Sequence, residues 1–320
     1  MTVTGALVIE ITRGGRVESR HEVDVAVVDV EGRLVRAHGY PGRDVMPRSA
    51  AKPIQALPLV GTGAADAFGL GDVELALACA SHDGEPRHVE AIVAWLGRLG
   101  LDVGALACGS HPPMHEPSAT AMVVTGAVPD QTHNNCSGKH VGFLTVLRHL
   151  DLPLHGYLDP THPLQADHVT PALAAACGVD LTGRVPGVDG CGTPVWSVPL
   201  NGLARAWAGL GAAPQGAPAT RLLDAMRAEP FYVAGSSRTC TRLIQEATGS
   251  TVCKTGAEGV FCAVLPDDRL GLALKVRDGA RRAADAAVVH LLAELGRLPT
   301  SDHDLLFNRV GAEVGRVQVA

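Results

Sequence analysis

Aromatic side chains are scarce in this sequence, because Phe, Trp and Tyr together make up only 3% of its 320 residues. Since 46% of the residues are nevertheless hydrophobic, the core must be built mainly from Val, Leu and Ala. An apolar fraction of this size excludes a disordered chain. The chain is longer than an average domain, but continuous folds of this length are common. We therefore predict a single domain over residues 1–320.

Concentrated positive charge and long apolar runs are missing as well. The net charge is -6, and no run of basic residues is interleaved with aromatics, which argues against a nucleic-acid binder. No uncharged apolar run reaches the roughly 18 residues of a membrane helix. The segment Met1–Glu10 has no basic start and its apolar run ends at Glu10, unlike a secretory signal. We expect a cytoplasmic protein that acts on a small molecule and binds neither nucleic acid nor membranes.

A disulfide framework is also not expected. The eight cysteines are scattered along the chain, at positions 79, 108, 136, 177, 191, 240, 253 and 262. In a long chain without an export signal, this distribution favours reduced thiols. Cys79, Cys177 and Cys262 lie in apolar stretches and are predicted to behave as small core residues. Cys136 and Cys191 have glycine and polar neighbours instead, which makes them candidates for a site.

Lysine is unusually rare. Of 27 basic residues only four are lysines, at positions 52, 139, 254 and 275. Lys and Arg are nearly exchangeable on a solvated surface, so a chain that uses Arg almost everywhere should keep Lys where a guanidinium cannot serve. A general base or a metal ligand is such a place, because a buried amine can lose its proton. We read Lys52, Lys139 and Lys254 in this way and Lys275 as an ordinary strand residue.

The hydrophobic pattern indicates an α+β fold. Residues 4–39 and 251–276 show the period-two alternation and turn residues of β-strands. The apolar spacing predicts helices at 72–80, 86–99, 137–150, 163–177, 199–209, 219–228, 236–247 and 280–296. Strands near both ends therefore bracket a mainly helical region around 72–247. We predict one antiparallel sheet, formed by N- and C-terminal strands and flanked by helices.

The first motif with catalytic potential is Ser49-Ala-Ala-Lys52. Ser49 can start a helix with Pro53 in its first turn, where proline is tolerated. Positions i and i+3 are neighbours on a helix, so the Lys52 amine can reach the Ser49 hydroxyl. If burial lowers the pKa of that amine, it can accept the serine proton and create a nucleophile. Chance alone predicts about 0.14 such pairs in this composition, so the motif is informative only in combination.

A second motif, Lys254-Thr-Gly256, supplies that combination, because chance predicts only about 0.03 copies of it. Penicillin-recognising serine enzymes carry Ser-x-x-Lys, Ser-Asp-Asn and Lys-Thr-Gly in this order. Here the middle element is replaced by Ser81-His-Asp-Gly84, between two predicted helices, which argues against a plain β-lactamase. Taken alone, Ser81 fits a helix cap before Glu85 as well as a catalytic role.

Five segments together carry a resemblance to a known family. They are Pro47-Arg-Ser-Ala-Ala-Lys-Pro-Ile-Gln55, Ala80-Ser-His-Asp-Gly-Glu85, His133-Asn-Asn-Cys-Ser-Gly-Lys-His140, Asp189-Gly-Cys-Gly-Thr-Pro194 and Lys254-Thr-Gly-Ala-Glu-Gly259. They span most of the chain and resemble the rhizobial-type (class 3) L-asparaginases of the asparaginase II family. The resemblance implies a fold like that of serine β-lactamases and glutaminases, a homodimer, and hydrolysis of L-asparagine to L-aspartate and ammonia.

The resemblance also implies two serine-lysine pairs, Ser49 with Lys52 and Ser81 with Lys254. Ser49 is the preferred nucleophile: it would attack the side-chain amide, backbone N–H groups would hold the oxyanion, and water would hydrolyse the acyl-enzyme. Which serine is acylated stays open. Residues predicted to contact the substrate are Arg48, His140, Asp189, Thr255 and Gly256, with His140 and Asp189 also possible as supports of a metal site. The remaining histidines, including His82 and His133, are read as structural.

Cys136, Lys139 and Cys191 form a candidate metal site. Lys139 follows Cys136 by one helical turn, so a thiolate and an amine can point at one centre. Spacing alone does not distinguish this from two ordinary cysteines, since it matches no zinc-finger pattern. In the family that the sequence resembles, these positions bind zinc. We expect the zinc to anchor loops or tune affinity rather than to activate the attacking water.

Three alternative functions remain open from sequence. A glutaminase differs from an asparaginase by one substrate methylene, worth only about 1–3 kcal/mol of binding. A β-lactam-interacting or other acyl-serine hydrolase would share the fold, although such enzymes usually act outside the cytoplasm. A zinc-binding scaffold without catalysis is disfavoured by the presence of all four residues Ser49, Lys52, Ser81 and Lys254.

Overall fold

The computed structural model describes residues 4–299 and 303–320. Its strands are β1 Leu7–Arg13, β2 Arg16–Asp29, β3 Leu34–His38, β4 Asp44–Val45, β5 Gly187–Val188, β6 Pro194–Val195, β7 Val198–Pro199, β8 Val252–Thr255, β9 Val260–Leu265, β10 Leu270–Val276, β11 His303–Phe307 and β12 Glu313–Val319. Its α-helices are α1 Lys52–Gln55, α2 Leu57–Gly61, α3 Ala64–Ala67, α4 Asp72–Ala78, α5 Pro86–Arg98, α6 Glu116–Thr125, α7 Ser137–His149, α8 Thr170–Cys177, α9 Leu200–Gly211, α10 Pro218–Ala228, α11 Pro230–Val233, α12 Thr239–Glu246 and α13 Arg281–Glu294. A π-helical turn, Leu164–Val169, leads into α8.

One eight-stranded sheet joins the two ends of the chain. Its order is β11-β12-β1-β2-β10-β9-β8, with β3 beside β2, and all its pairs are antiparallel. The residues of β9 are all buried, and since neighbouring side chains point to opposite faces, both faces of the sheet are covered there. Helices α9 and α13 pack against the sheet. The predicted α+β fold, with one antiparallel sheet built from both chain ends, is confirmed.

Three of the differences between the fold and the sequence prediction have clear physical causes. Strands β11 and β12 extend the sheet beside β1, where no strands were predicted, because β12 is mostly half-exposed and its apolar pattern is weak. Helix α6 was also missed, since none of its residues is buried and it has no apolar face to detect.

Among the described residues, no helix is both long and apolar enough to cross a bilayer.

The third difference concerns Ser49, which lies in a 3-10 turn, Arg48–Ala51, and not at the start of an α-helix. Proline has no N–H, so Pro53 cannot donate the α-helical hydrogen bond to the Ser49 carbonyl. Lys52 donates to that carbonyl instead, which is the i to i+3 pattern of a 3-10 turn. Helix α1 then begins at Lys52 with Pro53 in its first turn, as predicted for the proline.

The close approach of α9 to the sheet gives a stability prediction. Gly271 in β10 faces α9, and a Cβ atom there would collide with the Ala204 carbonyl oxygen and the Ala208 nitrogen. We expect Gly271→Ala to lower the free energy of unfolding by about 1–3 kcal/mol, measured by urea denaturation. Gly209→Ala is the matched control, since this exposed glycine of α9 has open space around it. It should raise the free energy of unfolding by roughly 0.5–1 kcal/mol. Equal stability of Gly271→Ala and the parent would contradict the packing.

Candidate active site

Three segments that are far apart in sequence meet at the end of β8. The 3-10 turn with Ser49 packs against β8 and β9, so that Lys254 in β8 comes close to it. Gly256 makes this contact possible, because a Cβ atom there would lie 2.5 Å from the Pro47 carbonyl oxygen. Ser81 reaches the same place from the loop between α4 and α5, and its backbone N–H donates to the Val233 carbonyl. The fold therefore gathers both predicted serines and both predicted lysines.

Both lysines point at Ser81. The Lys254 Nζ lies 2.9 Å and the Lys52 Nζ 3.1 Å from the Ser81 Oγ. Lys52 also donates to the carbonyl oxygens of Ala80 and, at 3.3 Å, of Asn135. Three acceptors thus surround the Lys52 nitrogen, which matches the three donors of an ammonium. Lys52 is therefore held as a charged donor to the Ser81 oxygen.

Lys254 is in a different electrostatic state. Its side chain is fully buried, and its Nζ has one further partner, the Thr255 carbonyl oxygen at 2.8 Å. Burial, followed by the nearby charges of Lys52 and Arg238, lowers the pKa of Lys254 to about 7, against an opposing effect of Cys240. A large fraction of the amine is therefore neutral near pH 7. A neutral Lys254 can accept the proton of a serine hydroxyl.

The Ser-x-x-Lys motif predicts that the Lys52 amine contacts the Ser49 hydroxyl, and the structure places Ser49 differently. Within the described residues no hydrogen bond joins the Ser49 hydroxyl to Lys52, whose hydroxyl partner is Ser81. Ser49 is half-buried, while Ser81 is only 4% exposed. Both line one cavity of about 190 Å³. Of the two hydroxyls, Ser49 is thus the more accessible and Ser81 the one in contact with the amines.

The same cavity includes two of the predicted substrate contacts, Thr255 and Gly256. Its remaining lining residues are Met114, Asn135, Arg238, Ala257, Glu258, Gly259 and Arg281. The sequence motifs did not single out Asn135, Arg238, Glu258 or Arg281. Asn135 and Glu258 lay inside two of the motifs and could have been chosen. The partner of Arg238 is Asp83, 155 residues away, which no local pattern reveals.

The other predicted substrate contacts do not line this cavity. Arg48 and Asp189 form an ion pair, with the Arg48 Nε 2.7 Å from Asp189 Oδ1. Arg48 has a positive φ of 50°, a strained conformation for a residue with a side chain. Since Asp189 lies two residues before Cys191, this pair joins the turn of Ser49 to the loop of the candidate metal site. It is positioned to fix the backbone next to Ser49.

The predicted metal ligands lie together in a buried cluster. The Lys139 Nζ lies 3.1 Å from the Cys191 Sγ and 2.6 Å from the Thr193 Oγ1. Contact with the Cys136 thiol, together with the Lys139 ammonium and despite burial, holds the pKa of Cys191 far below its ordinary value. The same thiol contact raises the pKa of Cys136. A lowered pKa favours the thiolate of Cys191, the form in which cysteine binds metals.

The donors of this cluster fit a zinc ion. Two thiolate sulfurs are ligands that tetrahedral zinc prefers, and the Lys139 nitrogen can bind as a third, less common ligand once its ammonium has lost a proton. His140 adds a buried Nε2 atom with no partner in the described part of the chain, while its Nδ1 lies 2.8 Å from the Tyr157 hydroxyl. Within the described residues, no three His, Cys, Asp or Glu side chains are close enough to hold a metal. A metal here would therefore need Lys139.

A family model described as L-asparaginase II matches residues 9–318. The chain belongs to the L-asparaginase II family. Membership of the L-asparaginase II family supports an L-asparaginase-type hydrolase, in agreement with the paired serines and lysines above. The resemblance predicted from the five sequence segments is thereby confirmed.

Several solved structures are similar to this L-asparaginase II family chain at low identity. They include a β-lactamase from Mycobacterium bovis (16% identity, 86% of this chain and 95% of that chain, TM-score 0.42). Others are Mglu in its native form (14%, 88% and 66%, TM-score 0.47) and a putative β-lactamase from Bacteroides dorei (12%, 79% and 84%, TM-score 0.41). The comparison with curated proteins gave no match.

Proposed function

We propose that this protein is an amidohydrolase that converts L-asparagine and water to L-aspartate and ammonia through a serine acyl-enzyme. The observation that carries the proposal is the contact of two buried lysines with Ser81, in a cavity that Ser49 also lines. Membership of the L-asparaginase II family supports an amide substrate. A cavity of about 190 Å³ suits a molecule of the size of an amino acid.

In the proposed reaction, the Ser49 oxygen attacks the side-chain amide carbon, since its hydroxyl is the accessible one. Its proton passes to neutral Lys254 by way of the Ser81 hydroxyl, whose oxygen is polarised by the Lys52 ammonium. The tetrahedral intermediate then expels ammonia, which takes up the proton held by Lys254. Water hydrolyses the resulting ester and releases aspartate. The hydrogen bond from Ser49 to Ser81 would form on substrate binding, as catalytic hydrogen bonds often do.

Ser81 is a second candidate for the acylated residue, because it is the hydroxyl in contact with Lys254. Its low exposure and its two lysine neighbours leave less room for an acyl group than exists at Ser49. We therefore assign Ser81 to proton transfer.

Ammonia release separates the proposed function from its rivals. We expect the purified protein to release ammonia from asparagine, measured in a coupled assay beside glutamine and a β-lactam. A higher kcat/KM for glutamine would make the protein a glutaminase with the same machinery. No ammonia from either amide, together with acylation of Ser49 by the β-lactam, would overturn the asparaginase assignment.

We further propose that Cys136, Lys139 and Cys191 hold a zinc ion. When bound, the ion would supply a fixed positive charge that ties two loops together. The residue before Cys136 is Asn135, which lines the cavity and accepts a hydrogen bond from Lys52 through its carbonyl. The loop of Cys191 likewise leads to Asp189, the partner of Arg48. One loop thus contacts Lys52, and the other contacts Arg48, the residue before Ser49.

Removal of the Cys191 thiol tests the zinc proposal. We expect Cys191→Ala to lose the bound zinc, from about one ion per chain to nearly none, measured by elemental mass spectrometry. Turnover should fall by about 10–100-fold, less than on loss of a catalytic residue. Cys177→Ala, which removes another buried thiol from α8, is the matched control and should keep its zinc. Full zinc content in Cys191→Ala would contradict this ligand set.

A further inference from the structure

Arg238 is a buried arginine to which the proposed reaction assigns no contact with the substrate. It lines the cavity of Ser49 and Ser81, and it is only 8% exposed. Its backbone is extended at the residue before α12, so the side chain starts from a helix end and not from a flexible loop. Arg281 is the other arginine that lines the cavity, and its side chain is 54% exposed. Its Nε lies 3.6 Å from the Asp285 Oδ2. Arg238 is therefore the better ordered cation.

Among the described residues, one carboxylate, that of Asp83, pairs with Arg238. The Arg238 Nη1 lies 2.5 Å from Asp83 Oδ1, and Asp83 is itself 2% exposed. Asp83 follows Ser81 by two residues in the same loop. The ion pair therefore fixes the guanidinium relative to the Ser81 hydroxyl. Such a short, buried pair has little freedom to rearrange when a ligand enters.

Most donors of Arg238 are left free by this pair. A guanidinium carries five N–H donors, and within the described residues the Arg238 side chain donates only to Asp83. Its other nitrogens are not among the enclosed, unpartnered polar atoms of the described chain, so they keep some accessible surface in a residue that lines the cavity. A fork of free N–H groups in a mostly buried wall is complementary to a carboxylate.

We propose that Arg238 is a substrate-binding residue that recognises the α-carboxylate of the amino-acid amide. Asp83 is the residue that positions Arg238. This proposal rests on the proposed function. The exposed carboxylate of Glu258 lies on the same cavity and suits the substrate ammonium. Opposite charges in one small cavity match the zwitterionic end of asparagine. The fixed separation of Arg238 from the serines would then select the length of the substrate side chain.

The test compares two amides that differ only in this carboxylate, L-asparagine and 3-aminopropanamide. Because Arg238→Gln alone would leave Asp83 as a buried unpaired charge, the main variant is the double replacement Asp83→Asn with Arg238→Gln. Asp66→Asn with Arg221→Gln is the matched control. It removes an ion pair whose Arg221 Nη2 and Asp66 Oδ1 atoms are 2.8 Å apart and whose residues do not line the cavity. Arg238→Lys keeps the charge but loses the fork, so an intermediate effect is expected.

We expect the double variant at 83 and 238 to lose about 100-fold in kcat/KM for asparagine, mainly through KM, while its kcat/KM for 3-aminopropanamide stays within about fivefold. The control pair should leave both values unchanged. Equal losses on the two amides, or no loss on either, would overturn the role of Arg238, because a purely structural residue affects both substrates alike.

Binding of L-aspartate, followed by calorimetry, keeps this test separate from the proposed function. If the wild type hydrolyses neither amide, the asparaginase proposal fails. The affinity for aspartate then still tests whether Arg238 binds a carboxylate. A Kd that rises about 100-fold in the double variant supports the carboxylate site. An unchanged Kd, or no binding of aspartate to the wild type, overturns it.

Discussion

Replacing Lys254 by Met is expected to lower kcat for asparagine by about 10³-fold or more while the fold remains intact. The Met side chain fills a similar volume in the buried position of β8 but cannot accept a proton. The Ser81 hydroxyl would then keep only its contact with Lys52, whose three acceptors leave it a charged donor. Steady-state ammonia release, with circular dichroism to verify folding, measures the effect.

The same residue sets the expected pH dependence. The pKa of Lys254 is lowered to about 7, chiefly by burial. Only the neutral amine can act as a base, so the active fraction falls as the pH drops below about 7 and rises above it. We expect kcat/KM to show an acid limb centred near pH 7. A rate independent of pH between 5 and 9 would contradict a lysine base.

Lys275→Met is the control for Lys254→Met. Lys275 lies in β10, and its Nζ donates to the backbone carbonyls of Glu258 and Val276. Its loss should leave kcat within about threefold of the wild type, because it contacts neither serine. If both lysine variants lost activity equally, the effect of Lys254 would be structural and the base would have to be sought elsewhere.

Ser49→Ala is expected to have the largest effect of all, with turnover reduced by about 10⁴-fold or more. The variant removes the atom that would carry the acyl group in the proposed reaction. Ser81→Ala should cost less, about 10²–10³-fold, since it removes a proton-transfer step but leaves the nucleophile. The two rates, measured under saturating asparagine, rank the roles of the serines.

The opposite ranking would favour Ser81 as the acylated residue. In that case, Ser81→Ala would be inactive and Ser49→Ala would retain slow turnover. The contact of Ser81 with Lys254 would then mark a direct nucleophile-base pair. A double variant no slower than the worse single variant would indicate that the serines act in one pathway.

The sequence predicted the members of the site better than their contacts. The rarity of lysine pointed to Lys52, Lys139 and Lys254, and the structure places all three in buried positions. It could not predict that Lys52 contacts Ser81, because this depends on a 3-10 turn and on a loop 29 residues further along the chain. Local spacing describes one helix face, whereas the contact is decided by tertiary packing.

Prediction of the secondary structure is limited by tertiary packing in the same way. Buried strands such as β9 and β10 and amphipathic helices such as α9 have strong periodicity and were predictable from the sequence. The half-exposed strand β12 and the exposed helix α6 lack a clear apolar face, so their positions follow only from the assembled structure. Arg238 was missed for a related reason, since an arginine without a neighbouring motif looks like any surface cation until Asp83 is beside it.

Covalent labelling tests the central claim most directly. A diazoketone analogue of asparagine alkylates the nucleophile of an amidohydrolase, and peptide mass spectrometry locates the adduct. We predict one adduct per chain on Ser49, protection by aspartate, and no adduct in Ser49→Ala. An adduct confined to Ser81, or undiminished asparagine turnover with Ser49 fully labelled, would contradict the assignment of Ser49 as the nucleophile.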